Sequence, residues 1–398
     1  SPVGAYDYVV QRNGANTEAI KLSDGSTLSS NSDASVVLQA AVDAVDASSG
    51  TGGAIWVKAG TYAMATVVTI AGDNTIDSKT VKLHGDGIQA TIFVPAANTN
   101  GFSITNQAKV SLKDFAIYVK GSSNGIISSN SSNGLRAFWQ SEFRNIYIYG
   151  DDGTHTGWGM DLGNPFRSVF ENIEINQVKN GVRMTATDTT TGYNPGDLVF
   201  TRSFIELRTV AGGVGLQIAS PNTGSMNQMV FSMVEFYSGG TGQTAILLDG
   251  SAENNHNVFT GINAEQFDTI LDIEYGRNNY FDFNYIITRD TTGTTYFKTT
   301  VNSYNNQVSC KYLDTPTRSV VVVNDANTLT LQPNVFKNII LQGTATTTTF
   351  TTTAATIVTD VRDNVLGTSR YINPAALKAV DPGADRILFW DDSTDMMG

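Results

Sequence analysis

The sequence has little of what defines several large protein classes. Its single cysteine, Cys310, excludes an intrachain disulfide framework, and no set of cysteines and histidines has the spacing of a zinc site. No apolar run reaches about 18 residues and no signal pattern opens the chain, so no membrane insertion is predicted. Proline (9) and charged residues (16%) are sparse, whereas glycine (37), threonine and asparagine are abundant. This balance indicates an all-β chain of strands and turns.

Basic residues are also scarce. The 398-residue chain has 25 Lys and Arg against 37 Asp and Glu, a net charge of −12, and no basic tract. Because phosphate binding needs clustered lysine and arginine, nucleic acid and anionic membranes are excluded as main partners. The chain begins at Ser1 without a methionine, which suggests a processed or trimmed fragment.

One helix is predicted, in the stretch "DASVVLQAAVDAVDASSG" at 33–50. Its apolar residues have helical spacing, Asp33 is placed to cap the N-terminus, and a glycine ends the stretch. Two glycine-broken strand segments follow, "GGAIWVKAGTY" at 52–62 and "VKLHGDGIQATIFVP" at 81–95.

After these segments the chain repeats itself. Six phenylalanines mark the same point in successive units, at spacings of 27, 30, 31, 28 and 22 residues: Phe143, Phe170, Phe200, Phe231, Phe259 and Phe281. Weaker members occupy 110–119 and 305–313, and most units continue into a second short strand that opens on a small residue, as in "GMDLG" at 159–163. A period of this length built only of strands and turns predicts a solenoid.

The solenoid type follows from the length of the repeat. Helical repeats are excluded by the two-residue periodicity, and propeller blades need about 40 residues each, so each unit is predicted to be one coil of a parallel β-helix. Successive coils then stack at about 4.8 Å. Asn145 and Asn172 fall in the same bend, where their amides can hydrogen-bond along the axis.

The order of helix, "GGAIWVKAGTY", "VKLHGDG" and coils resembles the N-terminal entry of the pectate-lyase-like right-handed β-helix superfamily, in which the helix caps the solenoid. The superfamily includes polysaccharide lyases, glycoside hydrolases and bacteriophage tailspike depolymerases. "DPGADRILFWDDS" at 381–393 resembles a segment of phage tail and tailspike proteins. The resemblance implies an extracellular or virion-tail protein that acts on polysaccharide, with residues 1–32 as an N-terminal segment and 33–315 as the capped β-helix.

The pattern changes from about residue 316. Residues 316–398 are strand-prone, rich in threonine and poor in charge, and they lack the coil signature. Such a region exposes sheet edges unless it is paired. We interpret it as a C-terminal β-rich oligomerisation region, a homotrimer being what the tailspike resemblance implies; the alternative is a disordered threonine-rich linker.

Glutamates recur in the repeated strands. When the coils are aligned by the apolar residues that flank each glutamate, Glu174, Glu206, Glu235 and Glu265 form one outward column that begins at Tyr147. A second outward column two residues on reads Tyr149, Asn176, Arg208, Tyr237 and Phe267. Like charges on neighbouring strands are destabilising, so four stacked carboxylates predict a bound cation, a raised pKa or interleaved basic residues. The alternative is a solvated acidic stripe.

The second short strands offer a competing face. Asp161, Arg183, Gln217 and Asp272 point outward there, beside a long turn that supplies Asp151, Asp152, His155 and Trp158. A carboxylate pair beside a histidine can bind Ca²⁺ or do acid–base chemistry, and Asp151 and Asp152 are the candidate ligands. The alternative is a solvated turn.

The function predicted from these patterns is the binding and cleavage of a polysaccharide. Hydrolysis of a glycosidic bond needs an acid and a second carboxylate, which Glu174, Glu206, Glu235 and Glu265 would supply without a cofactor. Predicted substrate-binding residues are Tyr147, Tyr149, Arg208, Tyr237, Trp158, Asp161, Arg183 and His155. A Ca²⁺-assisted lyase acting on a uronate is one alternative, but the few basic residues favour a neutral or weakly charged glycan. A non-catalytic trimeric adhesin or structural fibre is the other.

Overall fold

The fold is taken from a computed structural model of the chain. It describes residues 6–371 except 47–51, 76–78, 107, 130–135, 151–152, 187–195, 221–223, 225, 251–253, 289–294, 316–319, 344–347, 354–355 and 366–367.

The described residues form one α-helix and 34 β-strands. The helix is α1 (Ala34–Ala44), and the strands before and around it are β1 (Tyr8–Asn13), β2 (Asn16–Lys21), β3 (Thr27–Asn31), β4 (Gly53–Val57), β5 (Gly60–Met64), β6 (Val68–Ala71), β7 (Thr80–His84), β8 (Thr91–Pro95) and β9 (Phe102–Thr105). The coils that follow contain β10 (Lys109–Val119), β11 (Ile126–Ser129), β12 (Phe138–Trp139), β13 (Glu142–Gly150), β14 (Trp158–Gly163), β15 (Pro165–Phe166), β16 (Val169–Val178), β17 (Asn180–Thr185), β18 (Val199–Leu207), β19 (Val214–Ser220), β20 (Val230–Ser238), β21 (Thr244–Gly250), β22 (Asn254–Asn255), β23 (Val258–Phe267), β24 (Thr269–Ile273), β25 (Gly276–Arg277), β26 (Tyr280–Thr288), β27 (Thr295–Thr299), β28 (Ser303–Tyr304), β29 (Gln307–Thr315), β30 (Val320–Asn324), β31 (Asn334–Gly343), β32 (Thr348–Thr351), β33 (Thr356–Val365) and β34 (Thr368–Tyr371).

These strands wind into a parallel β-solenoid of about nine turns, which confirms the predicted all-β solenoid fold. In the first sheet the long strands pair in parallel in chain order, from β10 through β13, β16, β18, β20, β23, β26, β29 and β31 to β33. In the second sheet the short strands from β6 to β32 pair in the same order. Each coil therefore lies directly on the one before it.

The predicted phenylalanine alignment is confirmed. Each of the six phenylalanines pairs with the next across adjacent long strands. Their rings are buried, and consecutive ring centroids lie 4.5 to 5.9 Å apart. This stack is a continuous part of the core, so it ties the register of each long strand to that of its neighbours.

A sharp bend interrupts most long strands two residues after the phenylalanine. Asn145, Asn172, Arg202 and Met233 all have positive φ there, between 50° and 54°. The Asn172 amide donates to Oδ1 of Asn145 at 2.8 Å, and the Asn145 amide donates to Asp114 at 2.7 Å. The predicted hydrogen bond between the two asparagines is thereby confirmed.

A buried polar ladder runs through several coils at the corner residue, two residues before the position that the phenylalanines mark. In the later coils this residue is asparagine, at Asn257, Asn279, Asn306 and Asn334. Each asparagine oxygen accepts the backbone N–H of the equivalent residue one coil earlier, at 3.0 to 3.1 Å. Buried backbone donors at this corner are thus satisfied from the next coil.

The N-terminal end of the solenoid is covered. Helix α1 is capped by Asp33, whose carboxylate accepts the Ser35 N–H at 2.9 Å, and it buries Val37 and Leu38 against the first strands. Strands β1, β2 and β3 form an antiparallel meander, and β1 pairs in parallel with β4. The predicted capping helix is therefore confirmed.

The parallel pairing continues beyond Thr315, the last residue of the predicted β-helix. Strands β31 and β33 extend the first sheet, β30 and β32 extend the second, and β34 turns back antiparallel on β33. The oligomerisation role of residues 316–398 stays a prediction, and the segment 381–393 lies outside the described residues. No helix in the described part of the chain is long and apolar enough to cross a membrane.

The asparagine ladder generates a stability prediction. Asn279→Ala should lower the free energy of unfolding by about 1–3 kcal/mol, because it leaves the buried Asn257 N–H without an acceptor. Urea unfolding measures the loss. Asn302→Ala, on an exposed turn, is the matched control and should change stability little. Equal losses in the two variants would contradict the structural role assigned to the ladder.

Candidate functional site

The outward side chains of the first sheet form two adjacent columns beyond the bend. The inner column, four residues after each phenylalanine, contains Tyr147, Glu174, Phe204, Glu235, Asn263 and Tyr285. The outer column, six residues after the phenylalanines in most coils, contains Tyr149, Asn176, Glu206, Tyr237 and Glu265. We call these two columns together the acidic–aromatic strip. Its carboxylates alternate with rings along the axis.

The predicted four-rung glutamate column is wrong in its register. Glu174 pairs with Phe204, and Phe204 pairs with Glu235, while Glu206 pairs with Tyr237 and Tyr237 with Glu265. The glutamates therefore belong to two columns, each with an aromatic residue between its two carboxylates. The sequence alignment slipped by two residues, because such a slip leaves the same side chains facing the core and hides the error.

The correct register places each glutamate diagonally from the next, in the order Glu174, Glu206, Glu235 and Glu265. We group them as two diagonal pairs, Glu174 with Glu206 and Glu235 with Glu265, because burial and the first charge of each pair raise the pKa of the second carboxyl group. One strand spacing and two residues along a strand place the paired backbones about 8 Å apart. A bulge at Gln177 separates Asn176 from the strand end. The Asn176 amide donates to Glu174 at 2.9 Å, and the Gln177 amide donates to Glu206 at 2.8 Å.

The environment of each pair makes one member more basic than usual. Partial burial raises the pKa of Glu206, the charge of Glu174 raises it further, and the Gln177 hydrogen bond opposes the rise. Partial burial likewise raises the pKa of Glu265, with Glu235 as the nearby like charge. Each pair thus has a carboxyl group disposed to hold a proton beside a second carboxylate.

A pocket of about 400 Å³ opens over the strip. Glu174, Phe204, Glu235 and Asn263 line it, and Asn284 closes one end. The pocket brings together a carboxylate from each diagonal pair across two coils, with an aromatic ring between them. Tyr147 and Tyr149 pack together at the N-terminal end of the strip, with ring centroids 6.0 Å apart.

Arg208 does not lie in the strip. It follows the end of β18, and its guanidinium donates to the backbone oxygen of His155 at 3.4 Å. The expectation that Arg208 offsets the glutamate charge is therefore wrong. His155 is fully buried and its Nε2 bonds the Ser123 carbonyl at 2.7 Å, so the structure places it inside the turn and not on a surface.

The competing face on the second sheet has the predicted outward column. Asp161, Arg183 and Gln217 lie on successive strands, and the column continues through Leu247 to Asp272 and Lys298. Arg183 holds Asp161 with two hydrogen bonds, at 2.8 and 2.5 Å. The Trp158 ring lies 5.1 Å from the Arg183 guanidinium.

A groove of about 570 Å³ lies on this face, lined by Asp161, Arg183, Gln217 and Asp249 among others. Glu274 lies beside Asp249 on the next coil. Burial raises the pKa of Glu274, and the neighbouring Asp249 raises it further. Asp272, nearby and 8% exposed, bonds Lys298 at 2.7 Å, while its other oxygen has no hydrogen-bond partner.

Asp249, Asp272 and Glu274 form an acid cluster that the sequence interpretation did not assemble. Asp272 was recognised as outward-facing, but Asp249 is the penultimate residue of β21 and Glu274 follows the end of β24, where alternation no longer predicts which side chains meet. The sequence feature that indicates this cluster is an acidic residue near the end of each of two consecutive segments, Asp249 in "AILLDG" and Glu274 in "TILDIEYG".

The predicted Ca²⁺ ligands Asp151 and Asp152 lie outside the described residues. Among the residues that are described, no group of three or more His, Cys, Asp or Glu side chains has the arrangement of a metal site. The predicted Ca²⁺ site at this turn stays a prediction.

No protein-family model matches the sequence, and no curated protein matches it significantly. Among solved structures, the catalytic domain of a GH87 α-1,3-glucanase in complex with nigerose is 13% identical with a TM-score of 0.38, over 81% of this chain and 66% of that one. The A-module of the Azotobacter vinelandii mannuronan C-5 epimerase AlgE4 is 13% identical with a TM-score of 0.39, over 82% and 90%. ORF18 of Geobacillus virus E2 is 14% identical with a TM-score of 0.29, over 84% and 58%. Similarities at this level assign neither a family nor an activity to this chain.

The raised pKa of Glu206 predicts a pH-dependent stability effect. A carboxyl whose folded pKa is raised stabilises the fold most below its unfolded pKa, and this contribution is lost as pH rises through the folded pKa. Glu206→Gln should therefore be more stable than the unsubstituted protein at pH 7, by a few tenths of a kcal/mol, roughly the cost of one like-charge pair.

Urea unfolding at about pH 7 and about pH 3.5 tests this, since the difference should vanish where the carboxyl is protonated in both states. Glu18→Gln, on the N-terminal meander, removes the same charge far from the strip and is the control. A Glu206→Gln variant that is less stable than the parent at pH 7 would contradict the prediction.

Proposed function

We propose that this protein binds and cleaves a cell-surface or extracellular polysaccharide at the acidic–aromatic strip. The observation that carries the proposal is the repeated diagonal pair, Glu174 with Glu206 and Glu235 with Glu265. Glycoside hydrolysis requires one protonated and one ionised carboxyl group beside the scissile bond. Each pair places a carboxyl group with a raised pKa, Glu206 or Glu265, beside a second carboxyl group on a partly exposed sheet face.

The separation within each pair favours inversion. Inverting enzymes hold their carboxyl groups about 6.5–9.5 Å apart, and side chains that project in parallel from backbones about 8 Å apart would have this separation. Glu206, whose pKa is raised, would protonate the leaving oxygen. Glu174, held by Asn176, would take the proton from the water that attacks the opposite face of the sugar ring.

Aromatic residues support a sugar ligand. Phe204 lies between Glu174 and Glu235 in the inner column, Tyr237 lies between Glu206 and Glu265 in the outer column, and both rings are partly exposed. Rings at these positions offer flat apolar surfaces beside hydrogen-bonding carboxylates and amides, the combination that a ring with apolar faces and polar edges requires.

Membership of the pectate-lyase-like superfamily, a homotrimeric tailspike-like assembly and an extracellular or virion-tail location belong to the same proposal. They rest on the resemblance of the capped entry segment and of residues 381–393. A polysaccharide lyase and a non-catalytic adhesin remain the alternatives. A lyase would give an unsaturated, ultraviolet-absorbing product, and an adhesin would bind without cleavage.

The acid cluster on the second sheet is a second candidate for the catalytic centre. It is favoured by the position of Glu274 beside Asp249 on the next coil, because burial and the neighbouring Asp249 raise the pKa of Glu274. Asp272 lies one coil from Asp249, and the 570 Å³ groove ends at Asp249.

The first test is digestion of a polysaccharide panel with analysis of new reducing ends. On a substrate that is cleaved, Glu206→Gln and Glu235→Gln, made singly and together, should lower turnover by about 10² or more in the double variant, because each pair loses one of its two functional groups. Glu18→Gln is the control. Unchanged turnover in the double variant would rule out the strip as the catalytic site.

The second test separates the two faces. Asp249→Asn and Glu274→Gln, which keep the shape of the acid cluster, should leave turnover within about twofold if the strip is the active site. A loss of about 10² or more in either variant, with the strip variants active, would instead assign catalysis to the second sheet.

A further inference from the structure

The carboxylates of the strip have no cationic partner in the part of the chain that the structure describes. The cations nearest to them along the bend are engaged elsewhere, since Arg144 and Arg202 both pair with Glu171. Among the described residues, no lysine or arginine pairs with Glu174, Glu206, Glu235 or Glu265. Glu174 and Glu206 instead accept hydrogen bonds from the neutral amides of Asn176 and Gln177.

This arrangement leaves a line of negative charge uncompensated. The four glutamates span four consecutive long strands, and neighbouring strands lie about 4.8 Å apart. Consecutive glutamates are diagonal to one another, with backbones about 8 Å apart, so like charges repel along the strip, and partial burial strengthens the repulsion. A ligand that carries positive charge at regular intervals would remove it.

We propose that the polysaccharide recognised by the strip is rich in amino sugars with free ammonium groups. The inference rests on the proposed function for the location of the site and adds the class of substrate. Each ammonium group would lie against a glutamate, and each sugar ring against the neighbouring aromatic side chain.

The alternation of charge and ring favours this ligand over other polycations. Phe204 separates Glu174 from Glu235, and Tyr237 separates Glu206 from Glu265. A cation beside an aromatic face gains cation–π attraction as well as charge pairing. A polymer whose rings and charges repeat together can use both, whereas a lysine-rich peptide presents charge on long flexible stems without a ring.

A further polar atom on the strip lacks a partner. Oδ1 of Asn176 is buried and has no hydrogen-bond donor in the protein. Asn176 lies between Glu174 and Gln177 in sequence, at the bulge where β16 shifts its register against β18. An ammonium group is a pure donor, and a sugar hydroxyl can also donate, so either would satisfy this oxygen.

The experiment compares a glucosamine oligomer with its N-acetylated counterpart of the same length, by calorimetry at about pH 6, where most carboxylates are ionised. The free-amine oligomer should bind at least about tenfold more tightly, and its affinity should fall between about 0.05 and 0.5 M NaCl as screening increases. Equal affinity for the two oligomers would overturn the inference.

Variants locate the effect on the strip. Glu174→Gln and Glu235→Gln should each weaken binding of the free-amine oligomer by about two- to fivefold, the range expected for one exposed ion pair, and should weaken binding of the N-acetylated oligomer less. Glu18→Gln, with the same change in net charge, should bind as the parent does. An oligolysine of equal charge that binds as tightly as the sugar would overturn the assignment to a glycan.

The experiments can disprove the inference and the proposed function independently of one another. Cleavage of a neutral glycan without preference for the amine form would overturn the inference and leave hydrolysis at the strip intact. Tight, salt-sensitive binding of the amine oligomer without new reducing ends would confirm the inference and overturn the hydrolytic function.

Discussion

The structure depends on parallel hydrogen bonding between consecutive coils. Because each long strand lies on its equivalent one turn earlier, every side chain has a neighbour of the same position at the strand spacing of about 4.8 Å. Side chains at equivalent positions of the repeat are therefore neighbours, whether their interaction is favourable or not. This stacking stabilises the buried phenylalanines, whose rings contact one another. It also keeps the outward carboxylates on one face, where like charges repel.

The same rule explains how the molecule manages polar groups at its corners. Asn279 and its equivalents each fill one hydrogen-bonding requirement of the preceding coil, so the ladder needs no water and no ion. Earlier coils use serine at this position, as Ser168 does when its hydroxyl accepts the Ser141 N–H at 3.0 Å. Asparagine in some coils and serine in others thus accept the same kind of backbone N–H at this corner. Each of these hydrogen bonds joins only two neighbouring coils.

Much of the fold could be predicted from the sequence because its signals are periodic. The phenylalanines fix the phase of each coil, and a single confident helix with a capping aspartate marks the covered end. The candidate site was harder to predict, because two-residue periodicity cannot distinguish a strand from the same strand shifted by two. Glu174 and Glu206 have similar apolar neighbours, and only the distance to Phe170 and Phe200 separates their columns. Arg208 and His155 lie beyond strand ends, where no repeat constrains their direction.

The two diagonal pairs occupy consecutive coils, and one is displaced from the other by two coils, since the strand of Glu174 and that of Glu235 lie on either side of β18. In a solenoid each coil contacts only its neighbours, so the number of such units can change without altering the geometry of any one of them. Removal of two whole coils would shorten this face by about 10 Å and leave one intact pair. The length of this surface can therefore change without a change in the chemistry of its sites. Duplication of coils during evolution would lengthen the surface in this way.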